Sequence, residues 1–130
     1  MERKLHHIAL GARDPERVAT FYRDLLGLRE VRRHHETGGR LRSVWFDLGG
    51  AVLMIERTEE PARPVPGIGV GLFLLALAAE PAERVALEES LTASGIPIED
   101  RTEHTIYFRD PEGNRAAISS FSFQMTLNSN

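Results

Sequence analysis

The sequence predicts an α+β fold made of two βαβββ modules, and three observations carry that reading. His104–Ser119 reads as strand, tight turn and strand; Arg42–Glu56 has the same shape about Gly49-Gly50; and an acid-proline pair, Asp14-Pro15 or Glu80-Pro81, opens a helix ahead of each. Thr105–Phe108 supplies the β-branched and aromatic residues of a strand, and Asp110-Pro111-Glu112-Gly113-Asn114 supplies the chemistry of a reversal. Laid over one another, Val44 falls on Ile106, Trp45 on Tyr107, Phe46 on Phe108 and, with one residue of loop difference, Glu56 on Ala117. Each copy of such a repeat has a sheet face that it cannot bury alone. The two are therefore expected to join as a curved mixed sheet with a concave pocket and helices on the convex side.

Each element has its own local signal. Leu5–Gly11 alternates, with His7, Ala9 and Gly11 on one face and Ile8 and Leu10 on the other, as in a strand. Asp14 is a helix N-cap, Pro15 suits the first helical position, and Val18, Phe21, Tyr22 and Leu25 recur at helical spacing until Gly27. Leu28–His34 is read as the next strand and His35–Arg40 as its turn. Thr58–Pro66, with its prolines and alternating charges, reads as a linker. Gly69–Ala78 then opens the second module as a strand, Leu87 and Leu91 mark its helix, Gly95 stops it, and Ile96–Arg101 is a short strand. The expected organisation is a single domain, with module one at about 5–57, a linker at about 58–67, module two at about 68–120 and a tail over 121–130. In that tail Phe121–Leu127 is expected to add a strand or cover an edge.

Composition narrows the function classes. The chain has 130 residues, a net charge of -3 and no cysteine, which argues against a general nucleic-acid binder, a disulfide frame and thiolate chemistry. MERKLHHIAL lacks the apolar segment of a signal peptide and no apolar run is long enough for a bilayer, so a cytoplasmic location is expected. The arginines at 29, 32, 33, 40 and 42 are interrupted by Glu30 and Glu36 and read as a solvated surface.

LHHIALGARDPERVATFYRDLLGLREV together with YFRDPEGNRAAI resembles the vicinal oxygen chelate superfamily, which includes glyoxalase I, extradiol dioxygenases, fosfomycin-resistance transferases and bleomycin-binding proteins. The resemblance covers roughly residues 5 to 120. It implies paired βαβββ modules, commonly in a homodimer, and a small-molecule pocket. In metal-dependent members His and Glu ligands come from the first and last strands of each module. Carried over residue by residue, His7 takes the first His position and Glu56 the first Glu position. The second His position falls on Phe73, or on Gly71 if the strand is shifted by two, and the second Glu position, four residues after the turn Gly, falls on Ala117. None of these three can bind a metal, so a divalent cation would rest on His7 and Glu56, with His104, His34 or His35 as unorthodox alternatives.

Strand parity supplies the other candidates. With Ala117 facing the pocket, Arg115 and Ser119 share its face, and Tyr107 and its module-one mate Trp45 are placed to orient a planar ligand. The ligand-binding set is thus Trp45, Phe73, Tyr107, Arg115 and Ala117. Catalytic candidates are His104, as a general base, and Tyr107; Arg101 is a candidate anion holder. Two functions remain open: a protein binding a small organic ligand with a degraded metal site and no cofactor, or a metal-dependent lyase, isomerase or dioxygenase acting on vicinal oxygens.

Overall fold

The structure is a computed structural model that describes residues 2–123. The chain divides into two compact units, one formed by the residues up to Pro64 with Pro111–Gly113, the other by the remainder.

The first unit holds β1 (His7–Ala12), α1 (Pro15–Thr20), β2 (Glu30–His35), β3 (Leu41–Asp47) and β4 (Val52–Arg57). Asp14 caps α1 by accepting a hydrogen bond from the Arg17 backbone N–H at 3.1 Å, and Pro15 follows at the first helical position. The Glu112 carboxylate accepts two more amide donors there, Arg13 N–H and Asp14 N–H. The helix continues into a π-helical turn, Phe21–Leu25, and leaves it through Gly27 at a φ of 78°. The sheet order is β1-β4-β3-β2, with β1 parallel to β4 and the other pairs antiparallel. One sheet face receives α1, which packs on β1, β3 and β4. Val18, Ala19, Phe21 and Tyr22 are buried, as are Val44, Phe46, Leu53 and Ile55 on alternate positions of β3 and β4.

The second unit repeats the order with β5 (Leu75–Ala78), α2 (Pro81–Ala93), β6 (Asp100–Arg101), β7 (Thr105–Arg109) and β8 (Arg115–Ser119), arranged β5-β8-β7-β6. Its core is Leu91 of α2 with Ile106, Phe108, Ala116 and Ile118. The βαβββ order expected from the sequence is present in both modules, and their strands hydrogen-bond as two four-stranded mixed sheets.

Several expected strands have different bounds, Leu5–Gly11 becoming His7–Ala12 among them. The first strand of module two begins at Leu75, not Gly69, because Gly67, Gly69 and Gly71 interrupt the preceding run, with Gly71 at a φ of 100°. Ile68, Val70 and Leu72 of that run are exposed. Ile96–Arg101 contracts to Asp100–Arg101, as Pro97 has no N–H to give a ladder. Leu28–His34 becomes Glu30–His35. Of the apolar tail, Phe121–Phe123 has no regular structure and 124–127 lies outside the described residues.

On β2, Arg33 lies across from Val44 and so on the helix side, where it pairs with Glu30 and with Glu16 of α1, both at 2.8 Å. Arg23 reaches Glu30 at 2.9 Å. The bonds from Arg33, then those from Arg23, hold the Glu30 carboxyl below the ordinary glutamate value of 4.5. A carboxyl depressed by folding stabilises fully above its unfolded pKa and loses that contribution as pH falls through the folded value. Glu30→Gln is therefore expected to cost about 1 kcal/mol at pH 7. The deficit should close progressively once the pH drops below 4.5. Urea unfolding of both proteins across that range measures it, and a pH-independent deficit would assign the loss to packing.

Candidate functional site

Residues paired across a sheet share a face, so the ladders of β5–β8–β7 locate the side chains opposite α2. Tyr107 pairs with Ala117, Ala117 with Ala76, Arg109 with Arg115 and Thr105 with Ser119. Ile106, Phe108, Ala116 and Ile118 form the buried alternate set. The face away from that core thus carries Tyr107, Arg115, Ala117 and Ser119.

Arg115 is the centre of this face. Its guanidinium carbon lies 4.8 Å from the ring centroid of Phe73 and 4.9 Å from that of Tyr107, a cation held by two aromatic rings. The side chain is only 14% exposed. Its Nη1 is 3.6 Å from the Glu99 carboxylate, which has its shorter bond, 2.7 Å, with Arg109. The buried Nε of Arg115 has no hydrogen-bond partner among the described residues. Ala117, fully buried, presents only a methyl beside Tyr107. Four residues expected to bind ligand, Phe73, Tyr107, Arg115 and Ala117, therefore gather in one module.

Trp45 occupies the corresponding position on the first sheet. Its indole N–H donates to Ser43 Oγ at 2.6 Å, the His34 ring meets it edge-on at 4.9 Å, and the Arg32 guanidinium lies 5.9 Å from its centroid. His34, like Arg115, keeps a buried nitrogen, Nε2, with no partner among the described residues. The ladder aligns Gly11, Glu56, Ser43 and His34 in one row across the four strands.

The other candidates lie apart from these clusters. His7 is exposed, with its Nδ1 2.8 Å from that of His6. It pairs with Val52, whereas Glu56 pairs with Gly11. The four-residue offset is about 13 Å along the strands, against the ~4 Å between two donors on one small ion. His104 is 45% exposed, stands against Phe121 at 5.7 Å and approaches Glu103 at 3.7 Å. Arg101 is paired with Glu88 of α2 at 2.6 Å. Glu99 and Ser43 escaped sequence reasoning, since no local pattern marks residues whose partners come from other strands.

Two overlays change once the ladders are known. The turn from β7 to β8 holds five residues, 110–114, and the turn from β3 to β4 holds four, 48–51, so the second hairpin runs one residue longer. With Trp45 on Tyr107, the cross-strand partners Met54 and Ala117 correspond, and Glu56 corresponds to Ser119. Ile8 pairs with Leu53 and Leu75 with Ala116, so the residue matching His7 is Leu74 rather than Phe73 or Gly71. Module two passes from its ladder into its helix with one residue fewer, which misplaced the alignment made on the prolines.

The family model for the Glyoxalase/Bleomycin resistance protein/Dioxygenase superfamily matches residues 4–118. The chain belongs to this superfamily. Solved structures agree on the vicinal oxygen chelate fold. A lactoylglutathione lyase from Agrobacterium tumefaciens is 28% identical, with 91% of this chain and 93% of that one covered and a TM-score of 0.67. A glyoxalase/dioxygenase from Nostoc punctiforme is 26% identical over 89% of each chain, with a TM-score of 0.75. The fosfomycin resistance protein FosX from Listeria monocytogenes, in complex with Mn(II) and 1S,2S-dihydroxypropylphosphonic acid, is similar at 18% identity. That match covers 98% of this chain and 100% of that one, with a TM-score of 0.77. Comparison with curated proteins finds no match.

The corresponding ladder positions of this superfamily member supply no pair of carboxylates for a divalent metal. Met54 and Ala117 hold equivalent ladder positions on β4 and β8, and neither is a carboxylate. Among the described residues no group of three or more His, Cys, Asp or Glu is arranged to hold an ion.

Proposed function

We propose that this superfamily member binds a small organic ligand on the sheet face of its second module, with Phe73, Tyr107, Arg115 and Ala117 as the contact residues and without a built metal centre. The observation that carries this is the Phe73–Arg115–Tyr107 stack beside the Ala117 methyl, flat aromatic surface next to a polar group that orients. Trp45 with His34 offers a similar wall on the first module. His7 and Glu56 leave a cation most of its shell as water, which supports weak binding and not the metal-dependent lyase, isomerase or dioxygenase reading. The proposal includes a single two-module domain acting as a homodimer, without nucleic-acid or membrane partners, in the cytoplasm. No helix among the described residues is long and apolar enough to cross a membrane.

Two measurements on one preparation test it. Protein purified without chelator or affinity tag is expected to carry far less than one Zn, Ni, Mn or Fe per chain. Ligand-observed NMR with a set of planar aromatic compounds is expected to find binders that Tyr107→Ala releases. One tightly held ion per chain, or binding indifferent to Tyr107→Ala, would overturn the reading.

A further inference from the structure

Resting on the ligand-binding reading of the same face, we infer that the ligand is a monoanion, a small planar carboxylate, and that Arg115 receives its carboxylate group. The inference starts from an unbalanced cation. Arg115 is largely withdrawn from water, yet the Glu99 carboxylate near it is 3.6 Å away and binds Arg109 more closely. A buried charge is stable only when it is paired and hydrogen-bonded, and a buried N–H without a partner carries a desolvation cost. Here the one ion pair is long and shared with Arg109, and the buried Nε–H has no partner among the described residues.

The geometry also says what can satisfy it. The ring centroids of Phe73 and Tyr107 lie 4.8 and 4.9 Å from the guanidinium carbon, and a guanidinium offers its N–H groups along the rim of its own plane. A carboxylate lying in the guanidinium plane matches such a rim in shape and charge. Its planar body then continues the aromatic surface. The excess charge here is at most one unit, so a dianion such as phosphate would bring a second negative charge into an apolar surround with nothing to balance it. Phe73 sits just after the Gly67–Leu72 run, whose Ile68, Val70 and Leu72 are exposed, so its ring is carried by a segment outside the ladder.

The test uses benzoate, its neutral isostere benzamide, and inorganic phosphate, titrated calorimetrically into the full chain at about pH 8, where phosphate is chiefly the dianion. Benzoate is expected to bind at least tenfold more tightly than benzamide and to be unaffected by equimolar phosphate. Arg115→Met should weaken benzoate at least tenfold and abolish its preference over benzamide, and Arg115→Lys should fail to restore that preference, because a single ammonium has no planar fork. Equal affinity for benzoate and benzamide in the wild type would overturn the carboxylate assignment without needing any variant to fold, and would leave the ligand-binding reading standing. Absence of binding by either compound, with aromatic binders also absent in the NMR screen, would overturn both. Displacement of benzoate by phosphate would replace the monoanion with an oxyanion of higher charge and overturn the class named here.

Discussion

Phe108→Ala is expected to lower the unfolding free energy by about 3–5 kcal/mol, the cost of emptying a fully packed aromatic site. Phe108 is completely buried, on the helix side of β7, with Leu91, Ile106, Ala116 and Ile118 also buried in the same unit. Truncation removes apolar surface that folding withdraws from water and leaves a cavity that a sheet and a helix cannot collapse into. Phe46, equally buried on β3, holds the corresponding place in the first unit, and Phe46→Ala should cost a similar amount. Domain stabilities are only about 5–15 kcal/mol, so either change removes a large share and brings the midpoint in urea sharply down. Equilibrium unfolding followed by circular dichroism checks it. A loss below about 1 kcal/mol for Phe108→Ala would place that ring at the surface and invalidate the face assignment of β7, and with it that of Tyr107.

Ala117→Glu is expected to abolish carboxylate binding, reducing benzoate affinity tenfold or more. Ala117 is fully buried and lies two residues from Arg115 on the same strand, so both side chains project from the same face. A carboxylate placed there meets the guanidinium at close range and supplies the counter-charge that the ligand would bring. Being covalently attached, it competes at a high effective concentration. The same substitution restores a carboxylate at the position where the resemblance implied a metal ligand, so a parallel titration with Mn(II) or Zn(II) is informative. Benzoate binding lost with no gain in metal affinity is the expected pair of results. Unchanged benzoate binding would show that the free edge of Arg115 does not lie toward Ala117.

Much of the architecture was legible in the chain because it depends on local chemistry. Asp14-Pro15 and Glu80-Pro81 start helices through capping and a fixed φ, Gly27 and Gly95 end them, and alternation in Thr105–Phe108 puts Ile106 and Phe108 on a buried face. The duplication followed from the order of these signals, and strand parity placed Arg115, Ala117 and Tyr107 on one face. Register was beyond reach. Whether Glu56 or Met54 matches Ala117 depends on whether the second turn is one residue shorter or one residue longer than the first, and turn residues do not announce which of them still belong to the ladder. Glycine content hid the true start of β5 in the same way, since an apolar run reads as a strand whether or not its backbone is extended. The surroundings of Arg115 were likewise a tertiary matter: Phe73 and Glu99 reach it from segments 42 and 16 residues away in sequence. Burial and charge balance are properties of the assembled neighbours, so the folded structure alone decided that this arginine lacks a full partner among the described residues.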